Sequence, residues 1–169
     1  NHTSPDSWLA IHRPDYFYRK EDGSFGNRVA DWSDIIDLDY QNRELWQYQI
    51  DTLKQWAAIV DGFRCDVAPM VPVEFWKEAH QAVEEVRPGA IWLAESGHPS
   101  FITFLRAKGV PGAADCELYQ AFDLCYEYDT YPLAIKLIQK NWPVEVYADL
   151  LNYQNGTLPT GAIKMRFLE

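Results

Sequence analysis

Two carboxylates, each closing a short apolar run, carry the chemistry of this sequence. Gly62-Phe63-Arg64-Cys65-Asp66 and Ile91-Trp92-Leu93-Ala94-Glu95 both read as strands ending on an acid. The segment between them reads as a helix, so both acids should leave at the same end of two successive parallel strands. Loops leaving that end of parallel α/β folds present reactive groups. Residues i and i+2 share a strand face, so Arg64 and Asp66 point together, away from Phe63 and Cys65. A neighbouring guanidinium keeps an Asp ionised, as a nucleophile must be. Glu95, among Trp92 and Leu93, is placed to hold a proton. One charged and one protonated carboxyl form the pair used in retaining glycoside hydrolysis.

The elements that must position this pair follow from periodicity. From Arg43, apolar residues recur at helical spacing through Trp46, Ile50, Leu53, Ala57 and Val60. A strand over 63–67 comes next. Pro72 precedes a second helix marked by Trp76, Ala79, Val83 and Val86 and stopped by Pro88-Gly89. The strand 90–94 follows, then a short helix capped by Ser100 and ending near Gly109. Residues 115–119 read as a further strand. Helices are expected over 133–139 and 144–152, the latter with Pro143 in its first turn, and a last strand over 162–168. This alternation predicts a parallel α/β sheet. Residues 3–34, rich in aromatics, Asp, Gly and Pro, show no clean periodicity.

With these motifs in order, the chain resembles the middle of an α-amylase superfamily catalytic domain (glycoside hydrolase family 13). The family's second signature region, Gly-Phe-Arg-x-Asp, matches residues 62–66, and its third, an apolar strand ending in Glu, matches 91–95. Its first region ends in Asn-His, as Asn1-His2 does, and a fifth resembles Ile35-Ile36-Asp37-Leu38-Asp39. The resemblance implies a (β/α)8 TIM barrel, partial here, running from the end of strand three to strand seven. Residues 1–42 would hold the end of strand three and a short excursion like the family's domain B, and 43–169 the barrel portion. It implies Asp66 as nucleophile, Glu95 as general acid and then base, Arg64 holding the nucleophile, and His2 bonding the sugar where the bond breaks. His98 would line the leaving-group side, whereas His12 and His80 read as surface residues. The third family carboxylate would lie beyond Glu169, so the isolated chain is expected to be inactive. Many α-amylases carry Lys-His three and four residues after the nucleophile, where this chain has Pro69 and Met70. The leaving-group side must therefore be built differently.

The resemblance implies a retaining α-glycosidase acting on starch-like glucans or maltooligosaccharides. Its alternatives are a transglycosylase or sugar isomerase on the same scaffold, or a non-catalytic relative used for binding. No cofactor is required on this reading; calcium is an option, because Asn1 matches a calcium-binding position in many α-amylases. A net charge of −10 with no basic run beyond Arg19-Lys20 argues against a nucleic-acid partner. No apolar stretch is long enough to span a bilayer. Cys65, Cys116 and Cys125, odd in number, read as reduced thiols and point to a cytoplasmic enzyme. The seven Trp read mainly as core residues, with a minority at a sugar cleft.

Overall fold

The computed structural model describes residues 1–29, 32–140 and 142–167. In chain order the elements are β1 (His2–Thr3), α1 (Trp8–His12), β2 (Ile36–Asp37), α2 (Arg43–Ala57), β3 (Gly62–Cys65) and α3 (Val73–Glu84). They continue with β4 (Ile91–Ala94), α4 (Pro99–Ala107), α5 (Asp115–Leu118), β5 (Leu124–Tyr126), α6 (Tyr131–Lys140), α7 (Val144–Thr157) and β6 (Ile163–Met165). Four strands form one parallel sheet in the order β3-β4-β5-β6, with helices between each successive pair. Sequential parallel strands with helical crossovers make an arc of an α/β barrel.

The helical faces pack as their periodicity requires. Trp46, Ile50 and Ala57 of α2 meet Phe75, Trp76, Ala79 and Val83 of α3 over Cys65, Trp92, Ala94 and Cys125 of the strands. Asn42 caps α2, its side chain accepting from the Glu44 N–H. Burying one such aromatic or aliphatic side chain stabilises by about 1.5–3 kcal/mol. Three tryptophans, Trp46, Trp76 and Trp92, are therefore core residues. Residues before Arg43 build a second cluster of Ala10, Tyr16, Phe17, Ile36, Leu38 and Leu45 around the antiparallel pair β1–β2.

Several expectations need correction. The strand expected at 115–119 is helix α5, and the strand is Leu124–Tyr126 instead. Acidic Asp115 and Glu117 sit in the first turn of α5, and the Glu117 carboxylate accepts from the Ala114 N–H, so this segment is built to start a helix. The true strand is launched by Asp123, whose N–H donates to Trp92 O while its carboxylate accepts from the Trp92 N–H. The helix expected to be capped by Ser100 begins at Pro99 with His98 before it. Val60 and Val86 lie beyond the helices they were assigned to. Pro143 stands just before α7. His80 is half-buried, its ring 5.5 Å from Trp92, because its helix face turns toward β4. The last strand covers Ile163–Met165, and Leu168, at the end of its expected range, lies outside the described residues.

Candidate active site

β3 and β4 pair in register, Gly62 with Ile91 through Cys65 with Ala94, so Asp66 and Glu95 are the next residues along the same ladder. The ladder continues past the strands: the Glu95 N–H donates to Cys65 O, and the Ala68 N–H to Glu95 O, both at 3.0 Å. The motif glycine is required for this pairing. A Cβ at Gly62 would stand 3.0 Å from Ile91 Cβ, 3.1 Å from its carbonyl carbon and closer still to its oxygen.

One guanidinium joins the two acids. Arg64 Nη1 pairs with Asp66 Oδ1, and Arg64 Nη2 lies 2.8 Å from Glu95 Oε1. Alternation along β3 had indicated only the first contact; the second needs the neighbouring strand. The ring of Tyr126, from β5, lies 5.7 Å from the guanidinium carbon. Burial works against the Arg64 charge, yet hydrogen bonds to Asp66 and the Tyr126 hydroxyl, with the Glu95 charge, hold its pKa above the ordinary value. The Ser96 hydroxyl donates to Tyr126 O at 2.7 Å, tying the acid's loop to β5.

The pair is electrostatically asymmetric. Burial pushes the Asp66 carboxyl up, but the Arg64 hydrogen bond and charge outweigh it and bring it below the ordinary carboxylate value. Glu95 is raised: burial dominates, and the Asp66 charge adds to it, over the opposing Val67 N–H and Arg64. The Glu95 side chain is 19% exposed against 49% for Asp66, which is why desolvation prevails at one and not at the other.

Val67 supplies a contact that sequence reasoning missed. It has φ 39° and ψ 50°, the one non-glycine among the described residues in the left-handed region. For a β-branched residue this strain costs on the order of 1–3 kcal/mol. The turn aims the Val67 N–H at Glu95 Oε2, 2.8 Å away. No local signal marks it, since valine favours the opposite conformation.

Asn1 and His2 complete the cluster. The Asn1 amide donates to Asp66 O at 2.6 Å and Val67 O at 3.4 Å. His2 Nε2 stands 3.6 Å from Asp66 Oδ2, and burial holds its pKa below the ordinary value against the pull of Asp66. His98 lies instead with its ring against Tyr128, 4.9 Å between centroids. A cavity of about 330 Å³ opens beside Arg64 and Asp66 toward Tyr40, Leu53 and Trp76. Glu95 does not line it, so it is not where the two carboxylates converge.

A hard cation takes six to eight oxygen ligands. Asn1 Oδ1, Asn27 Oδ1 and Asp37 Oδ1 are buried without a hydrogen-bond partner, which suits such an ion in donor type. Among the described residues, however, no group of three or more His, Cys, Asp or Glu is placed to hold a metal. The Arg28 guanidinium already stands 3.7 Å from Asp37 Oδ2. The donors fit calcium in kind and fall short in number.

No family model matches the chain. Among curated proteins, the alpha-amylase MalA of Haloarcula japonica is 33% identical over 82 residues, covering 46% of this chain and 12% of that protein. Among solved structures, an alpha-amylase from Lactobacillus plantarum is 53% identical with a TM-score of 0.96, over all of this chain and 40% of that one. The noncanonic maltogenic alpha-amylase AmyB from Thermotoga neapolitana is 37% identical with a TM-score of 0.81, over all of this chain and 36% of that one. The chain thus spans two fifths or less of the length of these relatives.

Proposed function

This chain belongs to the α-amylase family of glycoside hydrolases, as a central part of its (β/α)8 barrel, and from that premise we propose that its complete protein is a retaining α-glycosidase. Its substrates are α-glucosidic bonds in starch-like polysaccharides and maltooligosaccharides. The observation that carries this reading is the single Arg64 guanidinium between two carboxyls displaced in opposite directions, Asp66 down and Glu95 up.

Asp66 attacks the anomeric carbon as the bond to the glycosidic oxygen breaks, and Glu95 gives that oxygen its proton. The product is a leaving sugar with a free hydroxyl and a glycosyl ester on Asp66. Glu95, now a carboxylate, takes a proton from water as the water oxygen attacks the same carbon. Asp66 leaves as the carboxylate and Glu95 is again protonated. Two displacements on one carbon restore its configuration. Arg64 balances the charge that moves between the acids, and His2 bonds the sugar at the reacting subsite. The Val67 N–H holds Glu95 in line.

No step needs a metal. The three cysteines are free, which supports a reducing, cytoplasmic setting. Among the described residues no helix is long and apolar enough to cross a membrane.

The test is to incubate the complete protein with maltooligosaccharides and follow the anomeric configuration of the first-formed product by NMR. Retention is expected, and Asp66→Asn should lower turnover by about 10⁴-fold or more with the fold intact. Inverted product, or an active Asp66→Asn variant, would remove Asp66 as nucleophile. Transfer products in place of free sugar would mark the protein as a transglycosylase.

A further inference from the structure

We propose that Tyr126 is a positioning residue for the second half of the reaction, keeping the Arg64 guanidinium from closing on Glu95 once Asp66 is esterified. The role rests on the retaining glycosidase reading above. Its basis is a row of three side chains. β3 and β4 pair Cys65 with Ala94, and β4 and β5 pair Ala94 with Cys125. The next residue on each strand therefore brings Asp66, Glu95 and Tyr126 onto one rung. Side chains on one rung share a face of the sheet, so Tyr126 stands beside the acid on the side away from the nucleophile.

Arg64 starts two residues earlier on β3 and crosses this row. Nη1 pairs with Asp66, and Nη2 lies 2.8 Å from Glu95 Oε1. The guanidinium also donates to the Tyr126 hydroxyl, its carbon 5.7 Å from the centre of that ring. The tyrosine is itself fixed. Its carbonyl accepts from the Ser96 hydroxyl at 2.7 Å and from Lys164 Nζ at 3.4 Å. Its ring packs 5.6 Å from Phe167 and 6.1 Å from Tyr128. Tyr126 is thus an anchor tied to the acid's loop on one side and to β6 on the other.

Charge moves during the cycle, and this anchor stays. Before the first displacement Asp66 carries the negative charge and holds one arm of Arg64. Forming the glycosyl ester neutralises Asp66, and giving up its proton leaves Glu95 the carboxylate. Arg64 then faces a single charged partner, and a guanidinium grips a carboxylate best through two parallel N–H bonds. Glu95 Oε2 already accepts from the Val67 N–H at 2.8 Å. A second bond from Arg64 would engage both oxygens more fully and leave Glu95 a weaker base for the proton of water. The Tyr126 hydroxyl, which gains and loses no charge in either half, keeps part of the guanidinium occupied and holds its contact with Glu95 to one bond.

The experiment treats the complete protein with 5-fluoro-α-maltosyl fluoride, whose ring fluorine slows both displacements enough for the ester on Asp66 to be followed by intact mass. Excess reagent is then removed and decay of the ester in water is timed. Tyr126→Phe keeps the ring and its packing and loses only the hydroxyl. It should load within about threefold of the wild-type rate and lose the ester about tenfold more slowly, as a displacement well under 1 Å would cause. A merely structural part for the hydroxyl would slow loading and decay alike, and that result would overturn the proposal. Unchanged decay, with or without slower loading, would overturn it too. A wild-type protein that forms no ester on Asp66 would instead bring down the retaining reading on which it stands.

Discussion

Gly62→Ala tests whether the spacing of β3 and β4 sets the chemistry. The added methyl would stand 3.0 Å from Ile91 Cβ, 3.1 Å from its carbonyl carbon and closer still to its carbonyl oxygen, where ordinary contact begins at 3.4 Å. Clearing that oxygen takes a movement of about 1 Å, because repulsion rises steeply inside the contact distance and a paired strand cannot rotate away. Arg64 and Asp66 ride on β3 and Glu95 on β4, so the movement widens the gap that one guanidinium now spans. A misplacement of about 1 Å can cost ~10² in rate, and overpacking adds about 1–3 kcal/mol of destabilisation. The assay is kcat and KM of the complete protein on an activated maltoside, with Tm measured alongside. kcat should fall by about 10² with KM changed far less. Gly156→Ala is the control: no atom lies within 4 Å of its added Cβ, and it sits inside α7. That variant should hold its rate and gain up to about 1 kcal/mol of stability from helix propensity. Wild-type kcat in Gly62→Ala would refute the reasoning.

Other perturbations follow from the same geometry. The pH–rate profile should be a bell whose acid limb, set by Asp66, lies below the ordinary carboxylate range and whose alkaline limb, set by Glu95, lies above it; Arg64→Gln should move the acid limb upward, and an unmoved limb would show that Arg64 does not hold Asp66. Burial pushes Asp115 up to about 6 despite Lys164, so the folded chain keeps a proton that the unfolded chain releases from 3.8 upward. Its contribution to stability is full below 3.8 and lost as pH rises through about 6; Tm measured against pH should fall across that window, and Asp115→Asn should flatten it. Chelation with EDTA should leave turnover of the complete protein unchanged, and a loss that calcium restores would refute catalysis without metal.

Much of this chain is readable from local pattern. The helices over 43–57 and 73–84 and the strands before Asp66 and Glu95 announce themselves through apolar spacing and, for the second helix, a Pro-Gly stop, because each buries apolar residues at its own period. Strand alternation alone puts Arg64 beside Asp66. What the tertiary structure decided lies between elements far apart in sequence. The second arm of Arg64 reaches Glu95 because β3 and β4 pair in register across a helix, and Tyr126 meets the same guanidinium from a third strand. The opposite displacements of Asp66 and Glu95 depend on unequal burial, which no spacing encodes. Val67 is forced into a left-handed turn by its surroundings, against its own preference, and the donor it offers Glu95 is a backbone N–H that every residue but proline carries. The misread strand at 115–119 has the same origin. Its acidic residues favour a helix start, and the true strand is set by Asp123 pairing with Trp92, a contact 31 residues away in sequence.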